Sequence, residues 1–288
     1  MKLARSTALI LVMPWVATFA AFWLFPILYS IFLGFTDYEL LRPTYDWVGF
    51  DNFRALFADH DFLAAIKNTA IFVVGTIPVT TAFALLMALL VNRQFPGRDF
   101  FRASFFIPSI TSMVVVALIF TTLYSRGGYV ALLAEMAGVS TPDNGFLYDS
   151  RTALYSIMAM DIWMSSGYYM LIFLAGLKSI PVELYESAEI NGAGTLRQFR
   201  SITLPLLRPT ALFIIVINTI KSFQVFVEIL VMTKGKFDTS TMVYHIYETG
   251  LTTQFRFGYA SAAAYILFCI IAIFSVVQFI LMRRRESW

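Results

Sequence analysis

Six apolar runs leave this chain little freedom. They occupy about residues 8–35, 68–91, 104–124, 152–177, 210–232 and 258–282. A helix needs about 20 consecutive apolar residues to cross a bilayer core, and each run is that long. Hydrophobic residues make up 59% of the 288 and charged residues only 14%, with a mean hydropathy of +0.73. Soluble domains carry about 25% charged residues. One water-soluble core cannot hide this much apolar surface. The pattern predicts an all-α integral membrane fold of six transmembrane helices, forming a single domain over 1–288. Lys2 and Arg5 precede the first run and imitate a signal peptide. The run is too long for one, and no small-x-small cleavage site ends it, so it reads as an uncleaved first span. Pro14 and Pro26 predict kinks in it.

The connections give the orientation. With the N-terminus inside, twelve Lys and Arg residues fall in the short cytoplasmic segments and eight in the longer outer loops. The inner set includes Arg93, Arg98 and Arg102, then Lys178, Arg197, Arg200 and Arg208, then Arg283, Arg284 and Arg285. The positive-inside rule places both termini in the cytoplasm. The net charge of +3 is too small and too dispersed to suggest nucleic acid. The single cysteine, Cys269, lies in the last run, so there is no intrachain disulfide and no zinc framework.

The segment 183–209, between the fourth and fifth runs, is the longest polar stretch on the cytoplasmic side. Glu183, Glu186 and Glu189 are spaced by three and share one side of a helix. Gly192 and Gly194 follow as a stop signal. Thr195 can N-cap a second short helix, with Gln198 completing a capping-box pattern. Pro205 and Pro209 predict its end. A simple turn needs only a few residues. Twenty-seven residues with two capped helices look built to touch another molecule.

The spacing Glu186-x-Ala188, then Gly192, then Ile202-x-Leu204-Pro205 resembles the E-A-A loop of binding-protein-dependent ABC importer permeases. Ser187 stands where that family usually has a second alanine, and Asn191 where it often has aspartate. Both changes are small. The resemblance implies that Glu186, Ser187, Ala188, Gly192, Ile202, Leu204 and Pro205 belong to a cytoplasmic coupling helix and its continuation. In the family this helix docks in a groove on an ATPase subunit. Trp47-Val-Gly-Phe-Asp-Asn-Phe resembles the first periplasmic segment of the sugar-type members, where V-G-L-D-N-F is common. Residues 92–102 also look familial and suggest a secondary contact beside the coupling loop. Thr239-Ser-Thr-Met-Val-Tyr-His-Ile-Tyr and Phe257-Gly-Tyr-Ala-Ser-Ala-Ala-Ala-Tyr resemble the carbohydrate branch, the maltose- and lactose-type inner-membrane permeases. The resemblance implies a second related permease, an ATPase dimer, an extracytoplasmic solute-binding protein and a sugar substrate. It also implies a multi-pass place in the lipid of the bacterial inner membrane. ATP and Mg would sit on the ATPase, with no cofactor in this chain.

Ionisable residues inside spans are costly and usually face a cavity or a partner. In the fifth run Lys221, Gln224 and Glu228 fall within about 60° of one another on a continuous helix, with Asn218 nearby. Lys221 and Glu228 are two turns apart and could neutralise each other, directly or through Gln224. In the fourth run Asp161, Ser165 and Tyr168 share a face, with Trp163 and Tyr169 close by. Planar polar groups and aromatic faces suit a neutral sugar. The same residues could instead only join span four to span five, or this subunit to a second permease. His60 and His245 lie in outer loops and suggest no role.

No phosphate-binding G-x-x-x-x-G-K-[ST] motif is present; Gly235-Lys236 lacks the upstream glycine and the following hydroxyl. No enzyme motif appears either, so energy must come from another subunit. The expected function is a sugar-importer permease. An anionic substrate such as a glycerol phosphate would want unpaired cations at midplane; only Lys221 qualifies, and Glu228 could cancel it. A stand-alone proton-coupled carrier could use Asp161 or Glu228, but it would have no reason to keep the 183–209 segment.

Overall fold

The computed structural model describes residues 5–42 and 44–283. The cytoplasmic placement of the termini falls on residues that lie largely outside this set. The described residues are helical apart from loops and two isolated bridges, Thr36 with Trp47 and Ser125 with Gly145. The helices are α1 Ile10–Leu33, α2 Asp51–Ala58, α3 His60–Asn92, α4 Arg98–Ile110, α5 Met113–Leu123, α6 Tyr129–Met136 and α7 Ala153–Lys178. They continue with α8 Val182–Ile190, α9 Thr195–Leu206, α10 Arg208–Phe223, α11 Val227–Met232, α12 Met242–Tyr247 and α13 Phe257–Arg283.

Four of these, α1, α3, α7 and α13, are long and apolar enough to cross a membrane alone. Two bent pairs raise the number to six if each pair is one span: α4 with α5, bent by 98°, and α9 with α10, bent by 60°. The third apolar run is therefore not one straight helix. Thr111 and Ser112 are extended between α4 and α5. The Ser109 hydroxyl donates to the Met164 carbonyl (2.7 Å) and accepts the Tyr168 N–H (3.0 Å), which pins the break to α7. The fifth run is also interrupted. α10 stops at Phe223, and Gln224 to Phe226 separate it from α11.

Proline is absorbed rather than obeyed. Pro26 and Pro205 each follow a π-helical turn, Ala20–Leu24 and Phe199–Thr203. The residue before each proline donates its N–H five residues back, Phe25 to Ala20 and Leu204 to Phe199. A proline ring clashes with the carbonyl four residues back and cannot bond it. Widening the turn moves that carbonyl away. So α1 stays one helix through Pro26, and Pro205 lies inside α9 instead of ending it.

The chain forms two compact units. One comprises Met1–Leu63 and His245–Cys269. Within it the Asn52 amide donates to the carbonyls of Gly34 (2.9 Å) and Thr36 (2.8 Å), closing the turn after α1. The other comprises Ala64–Tyr244 and Ile270–Trp288. Its centre is α7, whose buried side chains join two apolar clusters. Gly167 lies where α4 crosses α7, against the Phe105 carbonyl. Any side chain there would hold the helices apart.

Candidate functional site

The segment between α7 and α10 forms two helices, as its spacing predicts, but they are capped differently. α8 exposes Glu183, Glu186, Ser187 and Glu189, with Ala188 half-buried. It also exposes Val182, Leu184 and Ile190, the last 87% accessible. Gly192 ends it in the left-handed region, φ 73°. The Ala193 N–H bonds the Ala188 carbonyl and the Gly192 N–H that of Glu189, both at 2.9 Å. This is the Schellman pairing, which satisfies the last carbonyls of a helix. The capping box expected at Thr195 is absent. Gly194 is the N-cap, and the Gln198 amide instead donates to the Ala193 carbonyl at 3.0 Å. With an extended glycine as cap, Thr195 is already inside the first turn.

Ile202 is half-buried on α9, while Leu204 and Pro205 are exposed. The Tyr185 hydroxyl meets that of Thr203 at 2.9 Å, tying α8 to the π turn of α9. Pro209 opens α10, where its missing N–H costs nothing. α10 then carries Asn218 and Lys221.

A cavity of about 350 Å³ lies between α4, α5, α7 and α10. Ser109, Met113, Met164, Ser165, Tyr168, Tyr169, Ile217 and Lys221 line it. The Lys221 ammonium pairs with Asp161 Oδ1 at 2.6 Å and contacts the Ser165 hydroxyl. Ser165 also donates to the same carboxylate oxygen, at 3.2 Å. Asp161 is buried behind this pair, and its second oxygen has no partner among the described residues. The Tyr169 hydroxyl donates to Asn218 Oδ1 at 3.3 Å, and the Asn218 amide nitrogen is also buried without a partner. A buried polar network with open valences can accept a hydroxyl-bearing guest or ordered water.

The structure thus brings Ser165, Tyr168 and Lys221 to one cavity, with Asp161 bonded behind Lys221. The expected Lys221–Gln224–Glu228 stripe does not form. It assumed one continuous helix, and α10 ends before Gln224. Lys221 pairs across to α7 instead of with Glu228. Gln224 is exposed and closes α10 through its backbone N–H. Glu228 is buried in the first turn of α11 and forms no ion pair among the described residues. Trp163 packs on Phe120, ring centroids 5.3 Å apart, and does not line the cavity. Ser109 and Met113 were not foreseen. Pro108 beside Ser109 was the available signal, because a proline within an apolar run marks where a helix can break.

A family model described as "binding-protein-dependent transport system inner membrane component" matches residues 80–287. The probable ABC transporter permease protein YesP of Bacillus subtilis is 32% identical, over 92% of this chain and 87% of its own length. The lactose transport system permease protein LacF of Rhizobium radiobacter is 31% identical, over 96% of this chain and 93% of its own. A solved bacterial alginate ABC transporter, in complex with an alginate pentasaccharide-bound periplasmic protein, contains a chain of the same fold. The TM-score is 0.85 at 25% identity, covering 96% of this chain and 94% of that one.

Proposed function

This chain belongs to the family of binding-protein-dependent transport system inner membrane components, and on that premise we propose that it is one of two permease subunits of an ATP-driven importer for a di- or oligosaccharide. It is a transport component and not an enzyme. Relatives named for lactose and alginate transport support a sugar as the cargo. The complex with a periplasmic protein supports a solute-binding partner. A second permease and an ATPase dimer holding ATP and Mg complete the assembly. The chain crosses the bacterial inner membrane six times, with α4–α5 one span, α10 in another and both termini cytoplasmic.

One observation carries the mechanism. A single helix, α10, begins two residues after the α9 helix ends and finishes at the cavity wall beside Lys221. Tyr185 links the exposed helix α8 to α9. Closure of the ATPase dimer pushes on α8, with Glu186 paired to a cation on the ATPase. Ser187, Ala188 and Gly192 shape the docking helix; Ile202, Leu204 and Pro205 carry the displacement into α10. The cavity then opens alternately to each side; Tyr168 and Lys221 meet the sugar along the way, with Asp161 bonded behind Lys221 and Asn218 behind Tyr169.

The test is copurification of the tagged chain from its native membrane, followed by sugar uptake. A P-loop ATPase, a second permease and a solute-binding protein should come with it. Glu186→Lys should abolish uptake while the chain still inserts. Normal uptake by that variant would remove the coupling role from α8. Recovery of the wild-type chain alone, active in liposomes without ATP, would favour a carrier built on Asp161 or Glu228.

A further inference from the structure

Lys221 is the one charged residue among those lining the 350 Å³ cavity. Its side chain is 39% accessible, whereas that of Asp161, bonded to it at 2.6 Å, is 2% accessible. The carboxylate therefore lies behind the ammonium, away from the cavity. We infer that Asp161 sets the class of sugar this cavity admits: by holding the Lys221 ammonium it keeps the site open to neutral sugars and closed to acidic ones. The inference rests on the reading of this chain as a sugar permease.

The argument is electrostatic. A lone lysine on a cavity wall would attract a uronate. Here Lys221 is already neutralised, and Ser165 holds the pair by contacting both partners. A sugar carboxylate could bind Lys221 only by pulling it from Asp161. That would strand Asp161 in the interior, with Oδ2 unpaired and Oδ1 left to the Ser165 hydroxyl alone. A neutral sugar makes no such demand. The Tyr168 hydroxyl offers a donor, the hydroxyl oxygens of Ser109, Ser165 and Tyr169, whose protons are already committed, offer acceptor lone pairs, and the tyrosine rings offer faces to C–H groups.

The charge of the cavity can be read without knowing the sugar. Ile217 lies on the cavity wall, four residues before Lys221 on α10. The single native cysteine, Cys269, would be replaced by serine and Ile217 by cysteine in the assembled complex. The thiol's reaction rates with a cationic trimethylammonium-ethyl and an anionic sulfonatoethyl methanethiosulfonate are then compared, each relative to a free thiol. Asp161→Asn should shift the ratio about tenfold toward the anionic reagent, the scale of one unmasked charge at close range in a partly buried site. Adding Lys221→Met should return it. Met113→Cys gives a second reporter position if Ile217→Cys fails to assemble. A shift below about twofold, or one that persists in the double variant, overturns the inference. Sugar uptake supplies the other arm. The wild-type complex should take up its neutral sugar without competition from the matching uronate, and Asp161→Asn should gain that competition. If the wild type moves no sugar at all, the permease reading fails, while the reagent ratio still decides the role of Asp161.

Discussion

The hydroxyls of Tyr185 and Thr203 meet at 2.9 Å, eighteen residues apart in sequence. Thr203 is buried at the π turn of α9, while α8 is exposed along most of its length. A force on α8 thus has a short, directional route into the helix that precedes α10. Two hydroxyls in contact also resist sliding better than apolar packing, because their bond is lost within a few tenths of an ångström.

Tyr185→Phe removes that bond and keeps the ring. A hydrogen bond of this kind contributes about 1 kcal/mol net. The variant should reach wild-type abundance and bind its ATPase normally. It should move about two- to tenfold less sugar per ATP hydrolysed, in proteoliposomes where both are counted. An unchanged ratio would show that the bridge transmits nothing.

Gly192 is needed for its backbone and not for its size. Its φ of 73° belongs to the left-handed region, and no atom lies within 4 Å of where a Cβ would stand. Gly192→Ala should cost about 1–2 kcal/mol of local stability at the end of α8. Because space is not the issue, Gly192→Leu should cost about as much and Gly192→Asn less. Limited proteolysis between α8 and α9 reads this directly. A loss that grows with side-chain size would point to crowding instead.

Much of this was legible in the residues. Glycine at 192 announces a helix end because only a left-handed residue closes the Schellman pair. Three glutamates at a spacing of three announce a polar helix. The apolar runs locate the helices because bilayer thickness dictates their length. The partner of Lys221 was not legible. Angular arithmetic from 221 to 228 assumes an unbroken helix, and the interruption at Gln224–Phe226 carries no proline or glycine to announce it. The cavity escaped for the same reason. It needs the 98° bend between α4 and α5, which long-range bonds from Ser109 to α7 hold in place. Pro205 misled in the other direction, since a π turn accommodates a proline that ordinarily stops a helix.

Gly167 tests the crossing beneath the cavity. A Cβ there would run into the carbonyl group of Phe105 and the Ser109 hydroxyl. A backbone carbonyl cannot step aside as a side chain can. Gly167→Ala should destabilise the purified permease by about 1–3 kcal/mol through overpacking, read as a lower melting temperature. It should also impair uptake, since Ser109 lines the cavity. A fully stable and active variant would mean that α4 and α7 do not cross this closely.

His245 predicts a pH dependence outside the membrane-spanning helices. It lies on α12, buried between the rings of Phe62 and Tyr259, with Nε2 lacking a partner among the described residues. Burial disfavours the imidazolium and outweighs the nearby Asp59 and Asp61, so its pKa falls below the ordinary 6.5. Arg256, stacked on the Tyr259 ring, adds another positive charge to the same cluster. Asp59 shifts the same way. Burial raises its pKa, but the Tyr259 hydroxyl at 2.5 Å and the N–H groups of Asp61 and Phe62 outweigh burial and hold it low. The stability contributed by neutral His245 is complete above about pH 6.5 and drains away as pH falls toward its folded-state value. Melting temperatures of the wild type should therefore drop between pH 7.5 and 5.5. His245→Phe should flatten that slope and leave the Asp59 loss to a more acidic range, below the ordinary carboxylate value of 3.8. Equal slopes in the two proteins would exclude His245 as the titrating group.

The Asp161–Lys221 pair should respond asymmetrically to mutation, because its two ends differ in exposure. Lys221→Met leaves a carboxylate that is 2% accessible and already short of one partner. A stranded buried charge of this kind costs about 3–5 kcal/mol. Asp161→Asn leaves an ammonium that is 39% accessible and can draw water from the cavity. The loss there should be small, because a solvated charge needs little compensation. The double variant Asp161→Asn, Lys221→Met removes both charges and should recover most of the stability lost by Lys221→Met alone. Thermal melting of the three variants in one detergent gives the coupling as a double-mutant cycle. If Asp161→Asn proved the more damaging single change, Lys221 would have to be sealed from solvent by another element of the assembled transporter.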